Sequence, residues 1–374
     1  MKNRFAAFFL ALVFVCAAFV SCGSKTPAPV TDAGLIHEPE FGGVYITLTI
    51  DEFNSKGYEY GDSVKVIFSN GYTIDDIPYY NGYYTATGEM LLVAYRGYDY
   101  IKAAINNGAD LWNVAGLDED DTADIELVER GKYAKIQNAR DISYKDDREL
   151  FTSDEEFANF RSVEAGNIKK NYIFRSASPC DDQHKRAKYV NVLAEAAGIE
   201  TILDLADTDE KIKGYISSEG FSCDWFHSVY DSGNVIPVAL NMNFSSDDFR
   251  MKIADGFVKM TSKDGPYLIH CTEGKDRTGF VCMLIEALAG ATYEEIVSDY
   301  MKTYGNYYGI TAEKDKERYD VIVESVLEPM IGELVGEKTV DIRTEPLEPF
   351  AEAFLHSAGM TEDEIAEFVS KITG

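Results

Sequence analysis

The sequence is poor in basic residues. It contains 374 residues, with 35 lysines and arginines against 64 aspartates and glutamates, and its formal net charge is -29. Nucleic acids and anionic membrane surfaces attract proteins through basic patches. The charge therefore argues against unaided binding to either, and we predict no nucleic-acid partner.

Cysteine and histidine are also scarce, with six and five residues respectively. They are scattered and show none of the paired spacings of a zinc site, so we predict no metal. Beyond Cys22 the chain has only Cys180, Cys223, Cys271 and Cys282. Four cysteines in a chain of this length do not form a disulfide scaffold, and we expect no structural bridge through Cys271.

The apolar run near the start of the chain is short. Residues 5–20 follow the basic Lys2 and Arg4 and are fewer than the roughly 20 residues that span a membrane. A basic start followed by such a run is typical of an export leader. The junction V-S-C-G at residues 20–23 resembles a bacterial lipoprotein cleavage box, in which the cysteine, here Cys22, becomes the lipidated N-terminus.

We therefore predict a lipoprotein signal peptide at residues 1–21, a tether at residues 22–40 and lipid attachment at Cys22. The mature protein would be exported and anchored at the outer face of the bacterial cytoplasmic membrane, where its lipid makes the membrane a partner. An uncleaved anchor and a simple secretory signal remain alternatives.

The chain after the leader divides into two halves, the first of them rich in β-strand patterns. Residues 44–50 alternate apolar and more polar side chains, and residues 63–68 precede an Asn-Gly turn signal. Residues 97–111 and 124–127 resemble the small barrel that ends the S-adenosylmethionine hydroxide adenosyltransferases. We predict a small β-rich domain, barrel or sandwich, at residues 41–135, as a binding module or a structural spacer of unknown partner.

The second half alternates helices with short apolar strands. A capping box begins at Ser153, residues 184–197 have a helical pattern, and residues 201–205 and 226–230 are strand candidates. Such alternation predicts an α/β domain at residues 150–374, with a central, mostly parallel sheet flanked by helices.

The stretch HCTEGKDRTG, residues 270–279, lies between a short apolar strand and an apolar helix. A loop in this context directs backbone N–H groups at the helix N-terminus, where they suit a bound anion. Cys271 opens the loop, and the positive field there favours the nucleophilic thiolate. Arg277 can hold two phosphate oxygens with its planar fork. The stretch predicts a nucleophile beside an anion cradle.

Other residues of this stretch have expected roles. Gly274 lets the backbone curl without a Cβ obstructing the anion. Thr278 can give its hydroxyl to the sulfur when the thiolate leaves, and His270 is expected to brace the loop. Lys275 either adds a second positive charge, for a substrate with several phosphates, or offsets Asp276. The predicted phosphate-binding residues are Thr272, Glu273, Gly274, Lys275, Asp276 and Arg277.

HCTEGKDRTG is similar to the signature of bacterial tyrosine phosphatases of the dual-specificity-like group. The resemblance covers about residues 157–301, with further matches at residues 159–161, 172–176 and 198–205. Family members usually have an aspartate where this chain has Ser162 and an arginine where it has Ala206. No role of that arginine is therefore carried over.

The resemblance implies a cysteine-phosphatase domain that hydrolyses phosphomonoesters in two steps, without metal or cofactor. Cys271 attacks phosphorus and forms a cysteinyl-phosphate, while the loop amides and Arg277 stabilise the equatorial oxygens. Water then releases phosphate.

The leaving oxygen also needs a proton. Asp276 is the favoured donor, because the loop aspartate has this role in related sequences with Lys-Asp-Arg in the loop. Asp231, which follows the strand candidate at residues 226–230, is the alternative. Asp204 and Asp207 are weaker candidates and are expected to orient loops.

Three functions follow from these residues. The first is a protein-tyrosine or dual-specificity phosphatase acting on a phosphotyrosyl protein. The second is a phosphoinositide or inositol-phosphate phosphatase, which Lys275 and the nearby membrane favour and the acidic surface opposes. The third is a phosphate-recognising protein without turnover, which the complete set of Cys271, Arg277 and Thr278 argues against.

Overall fold

The computed structural model describes residues 26–336 and 339–374, which form a closed β-barrel followed by an α/β unit. The predicted signal peptide and Cys22 lie outside the described residues. Within the described ranges, no helix has the length and apolar character needed to cross a membrane.

The barrel shows that the predicted β-rich domain is a barrel and not a sandwich. Its strands close in the order β1-β2-β6-β5-β4-β3-β7, and all neighbours are antiparallel except β4 and β5. Alternate side chains of β3 fill the interior, as the period of a strand requires. The elements are β1 (Val30–Glu38), β2 (Gly43–Ile46), α1 (Ile50–Ser55), β3 (Ser63–Phe68), β4 (Thr73–Tyr80), β5 (Met90–Val93), β6 (Ile101–Ile105), α2 (Leu111–Ala115) and β7 (Thr122–Glu129).

The predicted tether at residues 22–40 is wrong for its second part, because β1 is a barrel strand paired with β2 and β7. Val30, Ala33 and Leu35 are its buried apolar side chains. A register shift between Val30 and Ala33 breaks the strict alternation, which explains why the period was not visible in the sequence.

The strand predicted at residues 44–50 is shorter than expected. It ends at Ile46, and Thr49 instead caps α1 in a capping box with Glu52. The threonine hydroxyl and the glutamate carboxylate satisfy backbone N–H groups that a helix start leaves free, so the chain turns into a helix there.

The α/β unit contains a five-stranded sheet in the order β11-β10-β12-β9-β8. Strands β11, β10, β12 and β9 pair in parallel, and the short edge strand β8 is antiparallel to β9. The strands are β8 (Arg161–Ser162), β9 (Ile173–Ser176), β10 (Thr201–Asp204), β11 (Val235–Pro237) and β12 (Tyr267–His270).

Helices cover the sheet and form the rest of this unit. A 3-10 turn at Arg148–Leu150 lies between the first two helices, and a π-helical turn at Val323–Leu327 joins the helix that ends at Ile322 to the helix that begins at Glu328. The helices are α3 (Ala134–Arg140), α4 (Asp154–Ala158), α5 (Ala187–Ala196), α6 (Asp209–Ile216), α7 (Asp224–Asp231), α8 (Asp247–Thr261), α9 (Asp276–Leu288), α10 (Tyr293–Tyr308), α11 (Lys316–Ile322), α12 (Glu328–Val335), α13 (Glu348–Ser357) and α14 (Glu362–Ile372).

Helix α9 is the central helix of the unit. Every residue from Thr278 to Leu288 is buried, and the helix packs directly against β12, α10 and α13. A helix that is apolar on nearly all sides belongs in the middle of a core. The turn that precedes it is therefore anchored between a fully buried strand and a buried helix.

The strand predicted at residues 226–230 is wrong, because these residues belong to α7. Aromatic and β-branched residues made the run strand-like. Phe226, Val229 and Tyr230 nevertheless follow a helical spacing and face the same hydrophobic cluster.

Helix α3 connects the barrel to the α/β unit. On the barrel side, Gln137 donates to Asn81 over 2.8 Å. On the other side, the guanidinium of Arg318 on α11 donates to the carbonyls of Ala139 and Asp141, each over 2.9 Å. These bonds hold the two units against each other and leave a cleft between them.

Candidate active site

The loop of residues 271–275 joins the end of β12 to the start of α9 and is called here the signature loop. Cys271 is its first residue and is buried. Asp276, Arg277 and Thr278 form the first turn of α9. The sulfur-bearing residue thus lies at the carboxyl end of a central strand and at the N-terminus of a buried helix, where the helix dipole favours an anion.

Carbonyl groups of the signature loop are bonded to the surrounding protein. Ser178 N–H donates to Thr272 O over 3.1 Å, Tyr307 Oη to Glu273 O over 2.7 Å, and Asn159 Nδ2 and Arg175 Nη2 to Gly274 O over 3.1 and 2.9 Å. A trans peptide unit points its N–H away from its carbonyl. In the described part of the chain, no acceptor takes the backbone N–H groups of residues 272–277. The loop is therefore a cradle of free donors.

A buried ionic network holds the underside of the loop. Asp299 accepts from Arg175 over 2.6 Å and from Arg161 over 2.8 Å, and Arg175 also reaches Gly274 O. Burial alone would raise the pKa of Asp299, but the two guanidinium groups hold it below its usual range. The ionised carboxylate keeps Arg175 in place, and Arg175 fixes the loop carbonyl.

Gly274 allows the signature loop to curl. Its φ is +67°, and a Cβ there would lie 2.1 Å from the carbonyl oxygen of Ser176 on β9. The positive φ agrees with the predicted curl of the backbone, and the close approach to the neighbouring strand is a second reason for glycine that the sequence did not show.

Arg277 lies back over the signature loop. Its Nη2 donates to the hydroxyl of Thr272 over 3.3 Å, and its Nη1 donates to the carbonyl of Leu240 over 3.2 Å. Leu240 belongs to the segment after β11, whose backbone runs beside Leu205. These two contacts orient the guanidinium plane toward the loop, where it can hold an oxyanion.

His270 is completely buried beneath Cys271. Its Nδ1 lies 3.4 Å from the carbonyl oxygen of Cys271, and its Nε2 lies 3.8 Å from the Asp204 carboxylate. Burial lowers the pKa of His270 to about 4, so the imidazole is neutral at neutral pH. This environment suits a bracing role and gives the ring no path to substrate.

Thr278 completes the first turn of α9. The residue is buried, and its hydroxyl oxygen has no hydrogen-bond partner among the described residues. A buried hydroxyl without a partner costs free energy unless it bonds during function. The predicted bond from this hydroxyl to the sulfur remains a prediction.

Two predicted proton donors have different positions. Asp276 is partly exposed, at 34% of its side chain, and lines a cleft of about 640 Å³ with Tyr304 and Tyr308. Asp231 is 69% exposed at the end of α7, before β11 begins. Since β11 runs parallel to β12, Asp231 lies at the opposite end of the strands, about 10 Å or more from the loop. This position argues against Asp231 as the alternative acid.

Lys275 is surrounded by acceptors. Its Nζ lies 3.4 Å from Glu273 and 3.7 Å from Asp276, and it donates to the Tyr144 hydroxyl over 3.2 Å. Burial would lower the pKa of Lys275, but the two carboxylates outweigh it and the pKa is raised. Of the two predicted roles, these contacts match the one in which Lys275 offsets Asp276.

Asp204 and Asp207 lie at the end of β10 beside Cys180, with potential ligand atoms of all three within 4.8 Å of one another. Asp204 accepts from the N–H groups of Ala206 and Asp207 and so orients the turn. Lys211 lies 2.6 Å from Asp207. Its fixed positive charge makes this cluster a poor place for a cation.

The comparison with known families decides the identity of the α/β unit. Residues 132–371 match the family described as "Tyrosine phosphatase family". The chain belongs to this family. The match supports a phosphatase, a hydrolase that acts on a phosphorylated substrate. It begins just before α3 and leaves all strands of the barrel outside.

Individual relatives of this phosphatase-family chain are distant. A Cupriavidus necator protein named for tyrosine-protein phosphatase activity is 38% identical over 48 residues, which are 13% of this chain and 18% of that protein. The core catalytic domain of the PP-IP phosphatase SIW14 from S. cerevisiae is 18% identical, with 44% of this chain and 83% of that chain covered and a TM-score of 0.28. An uncharacterized conserved protein from Thermotoga maritima is 22% identical, with coverages of 28% and 39% and a TM-score of 0.22.

The sequence did not reveal the supports of the phosphatase loop. Asn159, Arg175, Asp299 and Tyr307 hold the loop carbonyls or one another, and Leu240 orients Arg277. Their contacts join residues far apart in the chain, and no local period encodes them. Only the match at residues 159–161 and 172–176 pointed to two of the segments involved.

Proposed function

We propose that this protein hydrolyses phosphomonoesters through a cysteinyl-phosphate intermediate, and that its substrate is a phosphotyrosyl protein. One observation carries the proposal: among the described residues, no acceptor takes the N–H groups of residues 272–277, which follow Cys271 and lead into the N-terminus of α9. Such a cradle is complementary to a phosphate dianion and to the equatorial oxygens of its transition state.

The first step begins with the dianion held by the loop amides and Arg277. The Cys271 thiolate attacks phosphorus, the bond from phosphorus to the ester oxygen breaks, and the leaving oxygen takes a proton from the Asp276 carboxyl group. Asp276 faces the cleft, from which the rest of the substrate enters. This position supports it as the acid.

The second step returns the enzyme to its starting state. Water attacks phosphorus and gives a proton to the Asp276 carboxylate, the bond from phosphorus to sulfur breaks, and inorganic phosphate leaves. Cys271 departs as a thiolate, to which the buried Thr278 hydroxyl can donate. The donors of the loop are fixed in advance, so they need no reorganisation in either step.

The substrate preference rests on the charges of the cleft. A phosphoinositide with several phosphates requires cations that no carboxylate neutralises. Lys275, the predicted second cation, is paired with Glu273 and Asp276. Tyrosines from both units are among the residues that line the cleft, which suits a phosphotyrosyl side chain and its neighbours better.

The test is turnover by the purified full chain. We expect release of phosphate from a phosphotyrosyl peptide, little from a phosphoseryl peptide or from phosphoinositide vesicles, and none by the Cys271→Ser variant. Faster turnover of the phosphoinositide would replace the proposed substrate. Full activity of Cys271→Ser would refute the mechanism.

The acid is tested with two matched carboxylate variants and two leaving groups. We expect Asp276→Asn to slow hydrolysis of phenyl phosphate by about 100-fold, and that of dinitrophenyl phosphate far less, because a good leaving group needs no proton. Asp231→Asn, at the opposite end of the strands, should match the unmodified enzyme. Equal losses with both substrates in Asp276→Asn would show that this carboxyl is not the acid.

We also propose that the protein is exported and anchored through lipid on Cys22, on the strength of the leader pattern. The Cys22→Ala variant should move from the membrane fraction to the soluble exported fraction. Unchanged membrane retention of that variant would contradict the proposal.

A further inference from the structure

One wall of the cleft above the signature loop belongs to the barrel. The cleft of about 640 Å³ has Lys275 and Asp276 on its phosphatase side, and a cluster of barrel tyrosines lines the other side. We call this cluster the tyrosine wall, and it consists of Tyr83, Tyr84, Tyr95 and Tyr98. The region that matches the phosphatase family does not contain it.

The tyrosine wall is a built surface. The Tyr95 and Tyr98 ring centroids are 5.5 Å apart, and the hydroxyls of Tyr83 and Tyr98 are 3.1 Å apart. Beneath them, Lys102 lies 5.1 Å from the Tyr98 ring and is paired with Glu38 over 3.1 Å. Tyr95 nevertheless remains 48% exposed. Rings held in this way offer a large contact area at a small entropic cost.

The wall is close to the catalytic loop. Arg140 donates to the carbonyl of Tyr84 over 3.2 Å, and its guanidinium lies 5.1 Å from the Tyr84 ring. The charge of Lys275 acts on the Tyr84 hydroxyl, whose pKa burial raises to about 12. The wall and the signature loop residues Lys275 and Asp276 thus line one cleft, and a phosphorylated side chain that enters the loop from this cleft brings its adjoining chain past these rings.

We propose that the tyrosine wall binds the polypeptide that flanks the phosphorylated residue, so that the barrel determines specificity for a reaction performed by the α/β unit. The inference rests on the proposed phosphatase function. Tyrosines offer an apolar face and a hydroxyl, which suits the mixed side chains and amide groups of a peptide.

The cations of the cleft favour a peptide over a lipid headgroup. Lys102 is neutralised by Glu38, and Lys275 is neutralised by Glu273 and Asp276. Arg140 is the remaining cation of the lining, and it has no carboxylate partner among the described residues. One guanidinium without a carboxylate partner gives too little positive charge for a headgroup with several phosphates, whereas a peptide backbone needs no cation.

The experiment compares Tyr95→Ala with Tyr100→Ala. Tyr100 lies in the same connection and does not line the cleft, so its variant controls for loss of a barrel tyrosine. Both changes are made in the active chain and in the Cys271→Ser chain. The ligands are free phosphotyrosine, para-nitrophenyl phosphate, phosphotyrosyl peptides of about ten residues with random flanks, and phosphoinositide vesicles.

We expect Tyr95→Ala to lower kcat/KM for the peptides by roughly five- to tenfold, and to leave turnover of para-nitrophenyl phosphate within about twofold. On the Cys271→Ser chain, peptide affinity should fall by a similar factor and phosphotyrosine affinity should not change. Tyr100→Ala should match the parent chain in every assay.

Other results overturn the inference. Equal loss for small and large substrates would mean that Tyr95 acts on the loop itself, and an effect confined to vesicles would assign the wall to a lipid. An unchanged peptide affinity in Tyr95→Ala would leave the wall without this role. Failure of the proposed function is recognised separately: the unmodified chain would then turn over no substrate, while the binding comparison would still report on the wall.

Discussion

Thr278 brings a hydroxyl without a hydrogen-bond partner, among the described residues, to the base of the candidate site. We predict that Thr278→Ala slows the second chemical step by about 10- to 100-fold, because the departing thiolate loses a donor. Rapid mixing should then show a burst of leaving group followed by slow turnover, and Thr278→Ser should restore the rate. A slower reaction without a burst would place the hydroxyl in the first step.

His270 makes stability depend on pH. Its pKa is about 4 in the folded protein, against an ordinary value of 6.5, because burial disfavours the charged ring. Between these values the unfolded chain binds a proton that the folded chain does not, so stability is full above pH 6.5 and is lost as the pH falls toward 4. The expected loss is up to about 3 kcal/mol.

The matching measurement is urea unfolding of the unmodified chain and of His270→Gln from pH 7 to pH 4.5. Asp204, Asp207 and Arg277 also act on this ring or lie beside it, and they are present in both proteins. The free-energy gap between the two proteins should therefore narrow as the pH falls. A constant gap would show that the ring is not the titrating group.

The grouping of the candidate catalytic residues could be predicted, because they lie close together in the sequence. Cys271, Asp276 and Arg277 lie within seven positions, and a strand and a helix around them can be seen in the sequence. Their supports could not. Asn159 reaches Gly274 across 115 positions, and such a contact depends on the packing of whole elements, which no local pattern records.

The turn between β12 and α9 leads to a prediction at the scale of the element. Gly274→Ala places a Cβ 2.1 Å from Ser176 O, whereas Gly198→Ala, at nearly the same φ of +68°, meets nothing within 4 Å. Both variants place a Cβ on backbone in the left-handed region, which costs roughly 1–2 kcal/mol of stability. Only Gly274→Ala must also move the loop. We expect a loss of activity of about 100-fold or more for Gly274→Ala and little for Gly198→Ala.

The two glycine variants should be compared by activity and by thermal unfolding. The comparison separates the backbone strain that both variants share from the contact with Ser176 that only Gly274→Ala makes. Similar melting temperatures with unequal activity would fit a displaced loop. Full activity of Gly274→Ala would mean that β9 yields to the added methyl group, and the rigidity argued for the cradle would be lost.

Helices and strands could be predicted where the residue types and the spacing of the apolar residues favoured the same structure. Strand β10 lies inside the run expected at residues 201–205, and α5 lies inside the helix expected at residues 184–197. Helix α7 was misread because its residue types favour strands while its spacing is helical, and spacing decides when a hydrophobic cluster is available. Strand β1 was missed because a bulge interrupts its alternation.

At the scale of the whole molecule, the sequence separated two units but not their relation. The predicted boundary left residues 136–149 between the domains, and the structure places α3 there in contact with both. The cleft beside the signature loop lies between the barrel and the α/β unit, and Arg140 at the end of α3 bonds to the barrel residue Tyr84 at its wall. Docking is therefore part of how the candidate site acquires its outer wall.

Arg318 provides the test of that docking. Its guanidinium bonds the carbonyls of Ala139 and Asp141 at the end of α3. Bonds to a charged group contribute about 1.5–3 kcal/mol, so Arg318→Ala should open the two units at least about tenfold more often. We expect faster proteolysis between residues 141 and 150 and slower turnover of phosphotyrosyl peptides, with turnover of para-nitrophenyl phosphate unaffected.

The control is Arg343→Ala, which removes an exposed arginine that pairs with Glu328 within the α/β unit. It should change neither the proteolysis nor the turnover of peptides. Because the small substrate needs the loop alone and the peptide needs the wall as well, equal loss of both activities in Arg318→Ala would contradict the division of roles between the units.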